Sequence, residues 1–283
     1  MTTRLLSGLS DIAPGYDALI CDVWGVVHDG HRAHDVACDA LRRFRQTRGP
    51  VVLLTNAPRV PSAVEEQFAG LAVPPDCYDV IVSSGGAARA EMARRATSGT
   101  LPFYYLGTGR DTSIFDGLDV EIAPLDAATV MLCTGMRDDD NEVPADYAEE
   151  LARVQAKGLT MLCANPDLVV HRGKRLYWCA GALALDYAAI GGEVIYYGKP
   201  HGPVYDMARS EIAALAPSAS RFLAIGDGMP TDIKGANGQG LDVLFIADGI
   251  HGEDVEPYNP EHVTALLGGG GTHAAYALRA LKW

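Results

Sequence analysis

The stretch Ala18-Leu19-Ile20-Cys21-Asp22-Val23-Trp24-Gly25-Val26-Val27-His28-Asp29-Gly30 decides how the rest of the chain is read. It opens on an unbroken apolar run, which suits a strand buried on both faces. Asp22 closes that run, and a glycine-containing turn follows at once. A carboxylate at the carboxyl end of a buried strand stands where open α/β sheets hold ligands and do chemistry.

Short apolar runs and helical stretches alternate on the carboxyl side of this segment. Residues 34–47 read as a helix with Leu41 and Phe44 on one face, and residues 62–71 as another. The run Val51-Val52-Leu53-Leu54 ends at Thr55-Asn56-Ala57-Pro58, and Val80-Ile81-Val82 ends at Ser83-Ser84-Gly85-Gly86. This rhythm predicts an α/β fold, a doubly wound parallel sheet with helices on both faces. A second alternating series fills the middle. Apolar runs end at Gly107-Thr108-Gly109, Thr134-Gly135 and Asn165-Pro166-Asp167, with helices expected over about 145–157 and 181–190. The series has the length of an inserted domain, roughly a hundred residues. The first theme then resumes, with runs ending at Gly198-Lys199-Pro200, Gly226-Asp227-Gly228 and Ala247-Asp248-Gly249 and a helix over 204–215. The run Gly268-Gly269-Gly270-Gly271 reads as a loop before a short Ala/Leu-rich terminal helix. The expected division is a discontinuous core, 1–83 and 196–283, around an insert, 84–195.

Composition narrows the partners. A net charge of −13 argues against a nucleic-acid binder, which usually shows a basic face. It also means that an anionic substrate needs local help from a cation, a lysine or backbone amides. The six cysteines are scattered, with no CxxC, and several sit in apolar runs; buried thiols in a reducing cytoplasm are expected. Neither a leader segment nor a membrane span is expected.

If the strands share one parallel sheet, Asp22, Thr55-Asn56, Lys199 and Asp227 converge on one rim, with Asp232 close behind. Two carboxylates there suit a hard cation such as Mg²⁺. Thr55 offers a hydroxyl and backbone amides to a phosphate, and Lys199 a point charge. The set suits phosphoryl transfer with Asp22 as the nucleophile.

In this order, Asp22-Val23-Trp24-Gly25-Val26, Leu54-Thr55-Asn56, Tyr197-Gly198-Lys199-Pro200 and Gly226-Asp227-Gly228-Met229-Pro230-Thr231-Asp232 resemble the four motifs of the haloacid dehalogenase superfamily. Their spacing is similar to class IIA, the NagD-like branch, in which a C2-type α/β cap is inserted between the second and third motifs. The resemblance covers nearly the whole chain and is weakest after about residue 250. It implies a Rossmann-like core and a Mg²⁺-dependent phosphatase acting on a small phosphorylated metabolite through an aspartyl-phosphate. By the same resemblance Asp22 is nucleophile and metal ligand, the Trp24 backbone carbonyl and Asp227 are further ligands, and Asp232 supports the metal or Lys199. Thr55 and Lys199 bind the transferring phosphoryl group, Asn56 borders the site, and Asn165 with Asp167 on the insert face the substrate. A homodimer through the cap is compatible with the branch.

Trp24 departs from the pattern. Phosphatases of the superfamily usually carry an Asp there as general acid and base, work worth ~10²–10⁴-fold. An indole donates a hydrogen bond but has no useful acid–base pKa. Slow ester hydrolysis with the metal site retained is therefore expected, unless Asp29, His28 or an insert residue supplies the proton. A weakly catalytic, ligand-binding or regulatory module and a hydrolase of a non-ester bond are the alternatives. His28, His31 and His34 have poor spacing for zinc, and Asp138-Asp139-Asp140 reads as a solvated loop.

Overall fold

The computed structural model describes residues 2–97, 101–172, 175–250 and 254–283. All five residues of the strand Ala18–Asp22 are buried, as its apolar sequence requires. It lies inside a sheet of seven strands in the order Arg4–Leu5, Tyr276–Leu278, Asp242–Ile246, Phe222–Gly226, Ala18–Asp22, Val51–Thr55, Val80–Ser83. The five pairs from Arg4–Leu5 across to Val51–Thr55 all run parallel. From Ala18–Asp22 the chain first winds outward through Val51–Thr55 to Val80–Ser83. It later returns to the opposite side of Ala18–Asp22 with Phe222–Gly226. The strand order therefore reverses between the strands that end at Asp22 and just before Asp227, a topological switch point where such sheets place ligands.

Helices cover the sheet because their apolar residues recur every three or four positions. Asp35–Thr47 buries Ala37, Cys38, Ala40, Leu41 and Phe44. Gly202–Leu215 buries Val204, Tyr205, Ala208 and Ile212 against Ala18, Ile20, Val52, Leu54 and Val82 of the strands. Each fully buried Leu, Ile, Val or Phe contributes about 1.5–3 kcal/mol by leaving water. All six cysteines are free and buried. Among the described residues no helix is long and apolar enough to cross a membrane.

The chain divides into two compact units. One comprises Met1–Thr55, Glu65–Val82 and Lys199–Trp283; the other comprises Asn56–Val64 and Ser83–Gly198. The second unit holds a parallel sheet in the order Val194–Tyr196, Thr160–Cys163, Val130–Cys133, Leu101–Leu106, Val120–Ile122. Its core gathers Leu106, Met131, Leu151, Val154, Met161, Leu183 and Tyr187. An antiparallel pair of strands, Val169–Arg172 and Arg175–Trp178, completes it.

Three local readings change. No helix is expected directly after Val80-Ile81-Val82, yet the helix Ser84–Ala96 begins at Ser83-Ser84-Gly85-Gly86, and Ser83 Oγ caps it by accepting from Gly86 N at 3.0 Å. Two glycines at the start, poor helix formers, hide it. The helix expected from about 145 begins as a 3₁₀ turn, Pro144–Tyr147, and becomes α-helical over Ala148–Ala156. The expected terminal helix is instead the strand Tyr276–Leu278, with Ala277 and Leu278 buried. A short apolar run cannot be assigned by periodicity alone, and here two open ladder positions beside Asp242–Ile246 and Arg4–Leu5 claim it. Ala277→Asp accordingly costs on the order of 3–5 kcal/mol in urea denaturation, the penalty of an unpaired buried charge. A surface helix would lose about 0.5 kcal/mol or less.

Candidate active site

The carboxyl ends of the core strands bring the acidic residues together. Asp22, Asp227 and Asp232 each offer a carboxylate oxygen within 4.8 Å of the others, and all three residues are buried. Asp22 ends its strand, Asp227 directly follows Phe222–Gly226, and Asp232 lies in the π-helical turn Met229–Ile233. That turn folds back so that Asp232 Oδ2 accepts from Gly228 N at 3.1 Å. Such π-turns occur frequently at functional sites. Thr55 stands at the same rim, one residue beyond Leu54, which is in register with Asp22.

Lys199 ties this rim together. Its Nζ donates to Asp22 Oδ1, to Asp232 Oδ1 at 2.7 Å and to the Leu54 carbonyl at 3.0 Å. Three acceptors thus match the three donors of an ammonium. Burial works against the charge on Lys199, but Asp22 and Asp232 outweigh it and hold the group protonated. The carboxylates are less well served. Burial raises Asp22 well above the usual carboxylate range, and the charge of Asp232 adds to the rise while Lys199 works against it. Asp227 is pushed up to about 7, by burial first and by Asp232 second, although it accepts from Ile250 N at 2.8 Å. Three carboxylates against one ammonium leave two negative charges in excess when all are ionised. An all-oxygen donor set short of two positive charges matches a hard divalent cation such as Mg²⁺.

Trp24 sits in a tight turn. Val27 N and His28 N both donate to Val23 O, at 2.8 and 3.2 Å, and Gly25 N donates to His28 O at 2.9 Å. The half-buried indole lies over Gly30 and meets the His28 ring edge to face at 5.4 Å. His28 meets Phe68 at 5.8 Å, and Phe68 meets Tyr78 at 5.7 Å. Neither acid that the sequence offers in place of the missing Asp is equipped for it. His28 is 2% exposed, accepts at Nδ1 from Gly30 N, and is lowered to about 4 by burial and by His34, so it stays neutral. Asp29 is exposed and held ionised by the amides of His31 and Arg32.

Asn56, Asn165 and Asp167 meet within the second unit. Asn56 Nδ2 donates to Asp167 Oδ1 at 2.8 Å, and Asp167 N donates to Asn165 Oδ1 at 3.1 Å. Among the described residues, Asp22, Asp227 and Asp232 form the one acidic or His/Cys cluster suited to a metal, and the histidines at 28, 31 and 34 do not form another. Asp139 and Asp140 are ion-paired with Arg110 and Arg175. Sequence reasoning missed the Leu54 carbonyl on Lys199 and the Ile250 amide on Asp227. The sign available for the second was Ala247-Asp248-Gly249, one more strand end on the same rim.

Known proteins resemble this chain in sequence and fold. A sequence family described as haloacid dehalogenase-like hydrolase matches residues 19–121, and one described as HAD-hydrolase-like matches residues 196–268. A dihydroxyacetone phosphatase of Corynebacterium glutamicum is 34% identical over 111 residues, which span 38% of this chain and only 39% of that protein. The ribonucleotide monophosphatase NagD of Escherichia coli is 25% identical over 250 residues, 87% of this chain and 94% of that one. A crystal structure of a haloacid dehalogenase-like hydrolase from Brucella suis superposes with a TM-score of 0.83 at 39% identity, over 99% of this chain and 100% of that chain. A match of that identity from end to end makes this chain a haloacid dehalogenase-like hydrolase of the NagD-like branch.

Proposed function

We propose that the protein is a Mg²⁺-dependent phosphatase of small phosphorylated metabolites, working through an aspartyl-phosphate on Asp22, and that Trp24 makes it slow. The observation that carries the reading is the buried cluster of three carboxylates around one ammonium. Its neighbours in sequence, a dihydroxyacetone phosphatase and a ribonucleotide monophosphatase, support a phosphomonoester of a sugar, nucleotide or similar metabolite as the substrate class.

Asp22, the Trp24 carbonyl and Asp227 would hold the cation, with Asp232 beside them. Bound there, Mg²⁺ offsets the repulsion between carboxylate and phosphate and the charge of the transition state. Lys199 occupies Asp22 Oδ1, which leaves Oδ2 to attack phosphorus. The new bond forms as the P–O ester bond breaks, and the leaving oxygen takes the electron pair. Thr55 and Lys199 steady the phosphoryl oxygens. Water then attacks the same phosphorus, the acyl-phosphate P–O bond breaks, and the pair returns to Asp22 as phosphate departs. The leaving oxygen must gain a proton and the attacking water must lose one; Trp24 can neither give nor take it, so both protons pass through solvent. Of the two carboxylates usual for this chemistry, the chain keeps the nucleophile and lacks the acid, so leaving groups that need no protonation are favoured. The second unit serves as the C2-type cap, with its hydrogen-bonded Asn56, Asn165 and Asp167 as polar contacts for the substrate. The cytoplasm, with its reduced thiols and phosphorylated metabolites, is the proposed compartment.

The indole also favours a second reading, a module that binds phosphate and cation with little turnover. Turnover of 4-nitrophenyl phosphate and a panel of sugar and nucleoside monophosphates with Mg²⁺ separates the two. Catalysis requires that Asp22→Asn abolish turnover with the fold intact by circular dichroism; retained activity removes Asp22 as nucleophile. Trp24→Asp is expected to raise kcat at least about tenfold, since the restored acid is worth ~10²–10⁴-fold. It is also expected to lower stability by about 1 kcal/mol or more through loss of the ring contact on His28. An unchanged kcat would mean that proton transfer does not limit the rate.

The charge deficit has its own pH signature. In the protein without divalent cation, Asp227 binds its proton up to about pH 7, against 3.8 ordinarily. The folded state therefore holds more protons than the unfolded state across that window, and stability falls as pH rises through it. With chelator present, Asp227→Asn should raise the melting temperature at pH 8 and lose that advantage towards pH 4. Equal effects at both pH values would show that Asp227 carries no such penalty.

A further inference from the structure

Among the described residues no side-chain cation is ion-paired with Asp227, yet its carboxylate is tightly enclosed. Its Oδ2 accepts from Ile250 N at 2.8 Å. The same oxygen lies against two glycines from different loops. A Cβ on Gly25, in the turn after Trp24, would overlap Asp227 Oδ2 and lie 2.9 Å from its Cγ. A Cβ on Gly249 would overlap Oδ2 as well, and would reach Cγ at 2.6 Å. The loop that carries Gly249 is itself anchored: Ala247 N donates to Leu278 O and Asp248 N to Arg279 O, each at 2.8 Å.

We infer that Gly25 and Gly249 are positioning residues, which with the Ile250 amide clamp Oδ2 of Asp227 in one orientation and leave Oδ1 for a divalent cation. The inference rests on the metal reading given above. Physically the clamp replaces what a second lysine would do. The amide supplies a donor at a fixed angle, and the glycines bring backbone from two loops to within contact of the carboxylate, so the side chain cannot rotate away. A ligand held in one rotamer by its surroundings loses little freedom when a cation arrives, and outer supports of this kind are typically worth 10–100-fold in metal affinity.

The two glycines do not test the idea equally. Gly25 has φ of +81°, where any side chain strains the backbone whatever it meets. Gly249 is not in the left-handed region, and the nearest atoms to a Cβ there all belong to the Asp227 side chain. Gly249→Ala therefore isolates the collision.

Mn²⁺ is the probe, its free concentration read by electron paramagnetic resonance on the full chain after chelation. Gly249→Ala should weaken Mn²⁺ binding roughly 10- to 100-fold while circular dichroism shows a folded chain. Binding equal to that of the unsubstituted protein overturns the clamp. A stability cycle gives the second reading, because Asp227→Gly removes every atom that the new methyl would meet. Gly249→Ala should destabilise the protein in urea, and should cost much less in the Asp227→Gly background. An equal cost in both backgrounds, or a double variant as unfolded as Gly249→Ala alone, overturns the clamp. If the unsubstituted protein does not bind Mn²⁺, the metal reading fails, and the stability cycle still decides whether Gly249 acts through Asp227.

Discussion

The ammonium of Lys199, shared between Asp22 and Asp232, is the interaction on which the rest of the site depends. Three segments distant in sequence end at that one nitrogen, so the sheet must have the observed strand order for the charges to balance at all. Buried ions are tolerated when paired and fully hydrogen-bonded, and Lys199 is both. The carboxylates are not balanced to the same degree, and the protein carries that imbalance in a region nearly closed to water. Such a site is costly for a structural network, in which an apolar core would serve as well or better. It makes sense as a receptor for positive charge. The same excess of negative charge that penalises the protein alone would strengthen a hold on a divalent cation, because both come from one set of oxygens in one low-dielectric environment.

Trp24 stands next to this cluster for a different physical reason. The backbone of its turn is fixed by hydrogen bonds to Val23 and His28, so the Trp24 carbonyl depends little on what side chain residue 24 bears. The side chain has been put to use in packing, as the first member of a ladder that continues through His28, Phe68 and Tyr78. An acid at position 24 would face that apolar ladder. Packing and proton transfer thus compete for one side chain, and in this chain packing holds it. His28, which would be a natural proton carrier at neutral pH, is drawn into the same ladder and kept neutral.

Much of this was legible in the sequence wherever a chemical group must end a buried strand. Asp22, Thr55, Lys199 and Asp227 stand out because a polar residue after an apolar run has few purely structural explanations, and the parallel rhythm requires such ends to share a rim. Asp232 is expected to support the metal or Lys199, and its carboxylate meets both Lys199 and Gly228 N. What escaped were features set by tertiary contacts. The residues 276–278 have no periodicity that distinguishes strand from helix, and the sheet edge decides. The helix beginning at Ser84 is disguised by Gly85 and Gly86. Gly249 and Ile250 carry no side-chain functional group at the site, so nothing in their chemistry announces a role.

The carboxyl-terminal strand and the Gly249 loop are connected. The strand Tyr276–Leu278 provides, at and just beyond its end, the carbonyls that hold the loop from Ala247 to Ile250, and that loop holds Asp227. Each carboxylate of the cluster therefore has its own support: Lys199 for Asp22, Gly228 N for Asp232, and Ile250 N for Asp227. A site supported in this way is preorganised before any ligand arrives, so binding costs little rearrangement. Position 24 is thus given over to packing, while the carboxylate oxygens of the cluster are held in place by elements as remote in sequence as the carboxyl-terminal strand.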